Sequence, residues 1–293
     1  MATTTSTATR PNQQLRSRSR SISAWTVLRA TIVKDLQIQK RYLPDLVGNI
    51  VELGIRVLFF FMLSGIISVN GDKSPLGRDL SGHDMFVFFQ GALLLFIFNS
   101  TALNTPVNTI TRDLSNGTME YLYSNPSSRY AYFLGTVVAK ALITMSIFVP
   151  LYLLLIFSSS SSPTNMLLVM AVCLCALVTL VAFGVMIGLL GLLWKQVGSV
   201  TQVLGILFEL LAGAYFPIAA FPEVVQYLAY ALPYTWGYDL IRYYSFNGQW
   251  QPLLPVWIEW LILIGFGVFY TLVSRILLHK AERVAKRKGL HLM

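Results

Sequence analysis

Four charged residues sit inside otherwise apolar runs: Glu52, Arg56, Lys140 and Glu209. A charge near the middle of a bilayer costs about 2.5–3.5 kcal/mol on insertion scales, so such groups face protein or water and take a partner. Glu52 precedes Arg56 by one helical turn, the order in which an acid and a base pair on one helix face. Lys140 lies at a comparable depth in a later apolar run and can join them. Glu209 has no cation near it on its own helix; it is either kept neutral by burial or faces a polar pathway. Bond-making chemistry needs a nucleophile and a base within hydrogen-bond reach. His83, His279 and His291 lie at or beyond the ends of apolar runs, and no Asp falls inside one. Cys173 and Cys175 point in different directions on a helix, which suits neither a disulfide nor a metal site. No catalytic, metal-binding or cofactor-binding set is assigned.

The elements that hold these charges follow from composition. Charged residues are 12% of the 293, about half the share usual in globular proteins, and hydrophobic residues are 55%. Residues 85–111 and 141–194 carry no charge at all. One helix over the second run would be ~80 Å long, far more than a ~30 Å hydrocarbon core. The run Ser-Ser-Ser-Ser-Ser-Pro at 158–163 divides it. The pattern predicts an all-α, polytopic membrane protein with six spans, near 47–69, 85–111, 131–157, 166–193, 197–217 and 253–278.

An even number of spans puts both termini on one side, and basic residues decide which. Of the 22 Lys and Arg residues, only Lys73, Arg78 and Arg242 fall in the three segments opposite the termini. The positive-inside rule then places both termini in the cytoplasm, in the inner cell membrane. The net charge of +9 is largely this asymmetry, with attraction to anionic lipid headgroups; no nucleic-acid partner is expected. Residues 1–21 are rich in Thr, Ser and Arg, without an apolar core, and read as a disordered cytoplasmic tail rather than a signal peptide. In residues 22–43, Ile22, Trp25, Leu28, Ile32, Leu36 and Leu43 recur at helical spacing, so this segment reads as an amphipathic helix in the cytoplasmic interface.

Between the second and third spans the chain builds one small, punctuated helix. Asn116-Gly117-Thr118 offers a turn and a cap, Glu120 falls where a helix dipole favours an anion, and Met119, Leu122 and Tyr123 share a face. Asn125-Pro126 ends it. Such a helix can dock in a groove of a soluble partner or lie on the membrane surface.

The stretch RDLSNGTMEYLYSNPSSRYAYFLGTVVAKAL, from Arg112, resembles the cytoplasmic loop of ABC-2 type transporter permeases. Asp113, Gly117-Thr118-Met119-Glu120 and Pro126-Ser127 match that family's acidic, Gly-Thr-Leu-Glu and Pro-Ser positions, with Met119 in place of the common Leu. LPYTWGYDLIRYYSFNG, residues 232–248, is similar to the family's stretch before the last span. The resemblance covers about 22–285 and implies a division of labour. No G-x-x-x-x-G-K-[ST] phosphate loop occurs in the chain, so ATP and Mg are expected on a separate nucleotide-binding ATPase subunit. The segment at 117–125 resembles the coupling helix that docks into that subunit. Residues 22–43 resemble the connecting helix, 44–280 the six-span domain, and 281–293 remain as a basic cytoplasmic tail. A second permease subunit, identical or paralogous, and membrane lipid are the other expected partners.

Residues 218–252 are cut by Pro222 and Pro233 into short pieces rich in aromatics, among them Tyr234 and Trp236. They are expected as two short helices re-entering the outer leaflet, an exit gate in that family. Thr235 is expected to cap the second helix, and Asp239 to pair with Arg242 near the surface, while the aromatics face lipid or the exit path. The function implied is an exporter's permease moving a hydrophobic or amphipathic substrate: a drug, a lipid or a lipid-linked glycan. A secondary transporter without an ATPase is the alternative; an intramembrane enzyme ranks last.

Overall fold

The computed structural model describes residues 23–41, 43–69, 71, 74–115, 129–194 and 198–288. Its elements are α1 (Ala24–Arg41), α2 (Leu43–Ser64), α3 (His83–Ser115), α4 (Arg129–Ser158) and α5 (Pro163–Trp194). They continue with α6 (Gly198–Leu211), a 3-10 turn at Ile218–Ala220, α7 (Glu223–Tyr230), α8 (Pro233–Ser245) and α9 (Val256–Lys288). The chain is all-α, and the described residues contain no strand beyond a single bridge of Val69 with Leu80.

Proline and serine set the boundaries. The first turn of a helix has no use for a backbone N–H, so proline is tolerated there. Pro44 lies in the first turn of α2, Pro163 opens α5 and Pro233 opens α8. Pro106 and Pro150 fall instead inside α3 and α4, and each removes one hydrogen bond to the preceding turn. The expected break at 158–163 is the α4–α5 connection. The expected boundary between the last span and a basic tail, at 280, falls inside a helix that continues to Lys288.

Packing follows hydropathy. α5 is apolar on every side, as a helix enclosed by others must be, and it packs against α3, α8 and α9. Half of its stretch Pro163–Ile187 is buried, against 11% of Val47–Ser64 in α2. α2 therefore stands at the outside, where Ile55, Leu58, Phe59, Phe61 and Met62 remain exposed. Exposed apolar surface on this scale suits a hydrocarbon surrounding. Among the described residues, four stretches are long and apolar enough to cross a bilayer: Val47–Ser64, Leu134–Ser158, Pro163–Ile187 and Val256–Leu277. The other two expected spans fall on α3, apolar from His83 to Phe98 within the described residues, and on α6, with 14 residues.

α1 packs against α4. At their crossing a Cβ on Gly135 would lie 2.9 Å from Thr31 Cβ and 3.1 Å from the Leu28 carbonyl oxygen, so only glycine permits the approach. Lys34 lies over the Tyr132 ring, 5.4 Å from its centroid. Gly135→Leu should push the two helices apart and destabilise by about 1–3 kcal/mol, the usual cost of overpacking. Gly54→Leu, at a site with no neighbour within 4 Å, should not. Thermal unfolding of the detergent-solubilised chain compares the two, and equal midpoints would show that the crossing is loose.

Candidate functional site

Two polar constructions interrupt the apolar bundle, one along each half of α3. The first is a half-open cavity of about 480 Å³ between α1, α2, α3 and α4. Helical spacing builds its walls: Thr101, Thr105 and Asn108 recur on one face of α3, and Thr136, Lys140 and Thr144 on one face of α4. α2 contributes Asn49, Glu52 and Arg56, and α1 contributes Asp35 and Gln39. Arg56 donates to Glu52 Oε1 through Nη2 at 2.8 Å and through Nε at 3.1 Å. Its guanidinium also lies over the Phe96 ring, 4.1 Å from the centroid. Thr144 donates to the Lys140 carbonyl at 2.9 Å, and the Thr101 and Thr144 hydroxyls meet at 2.7 Å. The structure thus brings Glu52, Arg56 and Lys140 to one cavity. Among the described residues Lys140 forms no ion pair.

The second construction is α8, a 13-residue helix buried on nearly every side. A polar helix so enclosed must have its groups answered internally. Asp239 accepts hydrogen bonds from Trp250 Nε1 at 2.7 Å and from the Leu253 N–H at 2.8 Å. Burial pushes the Asp239 carboxyl above the usual carboxylate range. Arg242 donates through Nη2 to the carbonyls of Gly213, at 2.8 Å, and Ala214, at 3.1 Å. It stacks 3.6 Å above the Phe88 ring. Gly213 takes φ +85°, the left-handed conformation that glycine permits just past the end of α6. The serines of the α4–α5 connection answer the other end of α8. Ser159 donates to the Ser245 carbonyl at 2.9 Å, and Ser161 to the Tyr244 carbonyl at 2.8 Å.

Three expectations for this region are corrected. Asp239 and Arg242 do not pair near the surface; both are buried, and each is held by other partners, because carbonyls and ring N–H groups reach them first. Thr235 does not cap α8. The helix begins two residues earlier, at Pro233, and the Thr235 hydroxyl donates to the Ala229 carbonyl at 2.5 Å. The aromatic residues of α8 do not face lipid: Tyr234, Trp236 and Tyr238 are buried, and Trp236 Nε1 donates to the Tyr230 carbonyl at 3.1 Å. The exposed apolar surface belongs to α7, which follows Pro222 and presents Val224, Tyr227 and Leu228.

Glu209 is buried in α6. Asp113 lies in the last turns of α3. Gly117, Thr118, Met119, Glu120, Leu122, Tyr123 and Pro126 lie outside the described residues. Their segment joins the ends of α3 and α4, the same two helices that wall the cavity. The polar stripes on those helices were legible as Thr and Asn at intervals of three and four in apolar runs. The serine run reads as a chain break; nothing local in it shows that its hydroxyls serve α8.

A sequence model of a family described as ABC-2 type transporter matches residues 9–246. No curated protein matches the chain.

Asp239→Ala should leave two enclosed donors unanswered, at about 1–3 kcal/mol each, and lower the unfolding midpoint accordingly. Asp239→Asn, which keeps one acceptor oxygen, should cost less. Asp79→Ala, at an exposed site that accepts only the Gly71 N–H, should cost least. Equal midpoints across the three variants would show that α8 is not held through Asp239.

Proposed function

Because the chain belongs to the ABC-2 type transporter family, we propose that it is the membrane-spanning permease of an ATP-driven exporter, moving a hydrophobic or amphipathic substrate outward. The observation that carries this is the family match, which extends over 9–246 and so takes in α1 to α8. The family is a membrane transport component and has no catalytic role of its own. Hydrolysis of ATP with Mg is assigned to a separate nucleotide-binding subunit, in keeping with a sequence that holds no phosphate loop. A second permease, identical or paralogous, completes the pathway.

In this reading the chain crosses the inner membrane six times, with both termini in the cytoplasm, as its basic residues favour. α1 is the connecting helix, and residues 117–125 are the coupling helix that enters the ATPase. Closure of the ATPase would then act on the ends of α3 and α4. α7 and α8 form the outer gate with unequal parts. α8 is the fixed part, pinned by Asp239, Arg242 and the serine connection. α7 is the outer part, with one face exposed and its last turn tied to α8 through the Ala229 and Tyr230 carbonyls.

Glu120→Arg should uncouple the complex, since it reverses charge in the first turn of the docking helix. The permease is co-expressed with a phosphate-loop ATPase and reconstituted, and hydrolysis is measured alone and with a panel of lipids and amphipathic drugs. The variant should insert normally, yet lose most of the stimulation or fail to retain the ATPase. Unchanged stimulation and transport would remove residues 117–125 from that role.

A further inference from the structure

The lining carries two carboxylates, Asp35 and Glu52, and two cations, Arg56 and Lys140, and only Glu52 and Arg56 pair with each other. Glu52 is engaged by Arg56 at 2.8 Å, and Asp35 by Lys34 at 3.3 Å. Lys140 remains, projecting into the same cavity between Thr136 and Thr144, with no carboxylate within 4.0 Å among the described residues. A lysine in a span without an anion is expensive unless water or a ligand answers it. On the α1 side of the cavity, Asp35 Oδ2 is enclosed and accepts no hydrogen bond, although its side chain is only 10% exposed. One wall lacks an anion and another lacks a donor.

The lining is also graded. Along α3 it runs from Phe96 and Ile97 to Thr105 and Asn108, and along the antiparallel α4 from Ile147 to Thr136. The Phe96 end is covered by the Arg56 guanidinium, whose charge Glu52 already answers, whereas among the described residues the charge of Lys140 is left without a carboxylate. A space with apolar walls beside one unpaired cation fits an anionic group attached to an apolar chain. At about 480 Å³ it has the capacity of a small-molecule site.

We propose that this cavity binds the headgroup of an anionic amphiphile, with a phosphate or carboxylate on Lys140, a hydroxyl or amine of the same headgroup donating to Asp35, and the acyl end directed past Phe96 and Ile147. Asn49 and Asn108 supply further amide donors. As the place where substrate is taken up, the site rests on the permease reading above; as a binding site it does not. It lies within one chain, so a single permease can be loaded before any ATP is spent.

Binding is measured on the full chain in uncharged detergent, without ATPase, using radiolabelled short-chain phosphatidylglycerol. Unlabelled phosphatidylcholine of the same chain length and inorganic phosphate serve as competitors. Phosphatidylglycerol should bind saturably and compete well, while phosphatidylcholine and phosphate compete poorly. Lys140→Gln should weaken binding about ten-fold or more, the loss expected of one charge-assisted contact. Lys140→Arg should restore most of it, and Arg78→Gln, at an exposed loop pair with Asp84, should change nothing. Removing an unpaired cation should not lower the unfolding midpoint, so the Gln variant remains assayable. Equal binding by Lys140→Gln, or full competition by phosphatidylcholine, overturns the proposal. Full competition by inorganic phosphate at equal concentration reduces the site to one for a free anion and overturns the amphiphile. Binding that survives while no ATPase couples to the chain would overturn the permease reading instead.

Discussion

Arg242 ties α8 to the turn that follows α6. The last carbonyls of a helix have no partner within it, and in an apolar surrounding water does not supply one. At the end of α6 the carbonyls of Gly213 and Ala214 are met by one guanidinium reaching from α8, which is itself supported on the Phe88 ring of α3. Three helices are thereby fixed to one another through a single side chain. The same demand is met elsewhere in α8 by Asp239 receiving Trp250 and Leu253, and by the serine hydroxyls beyond α4. Hydrophobic contact alone could not set this arrangement, because apolar surface inside a bilayer gains little by touching other apolar surface.

The polar residues are therefore unevenly distributed for a reason. Around α8 they join helices to one another, although Tyr238 Oη, Arg242 Nε and Ser245 Oγ are buried there without a hydrogen bond among the described residues. Around Lys140 and Asp35 they line open space. α3 serves both, with its aromatic half against α8 and its Thr and Asn half in the cavity wall. Its helix runs unbroken for 33 residues and so reaches both.

Local rules carried the sequence reading as far as partners lay within one helix. The boundaries of α1, the break at 158–163 and the contact of Glu52 with Arg56 depend on neighbours three or four residues away, and each could be read from spacing. The pairing of Asp239 with Arg242 rested on the same rule and failed. Both residues have partners distant in the chain, at Trp250 and Gly213, which outcompete the local contact. The stripe Thr136, Lys140 and Thr144 was equally local, yet a threonine in an apolar helix can bond its own preceding turn, as Thr144 does, and carries no mark of a cavity. The segment at 116–126 was read as a short punctuated helix from local rules and as a docking element only from the family pattern, and it lies outside the described residues.

The two prolines inside α3 and α4 give the bundle an elastic character. Each helix is a stiff rod except where a proline has removed a rung from its hydrogen-bond ladder, and there it bends most readily. Pro106 interrupts the half of α3 that walls the cavity, whereas Pro150 lies just past the cavity's apolar end in α4. A load applied where these helices emerge, near residues 115 and 129, is thus absorbed first as flexure around the cavity. The stretch of α3 from His83 to Phe98, clamped against α8, has no such soft point and moves as one piece. Such a bundle would yield at one end before it shifts at the other, so squeezing at the cavity would precede any displacement at α8.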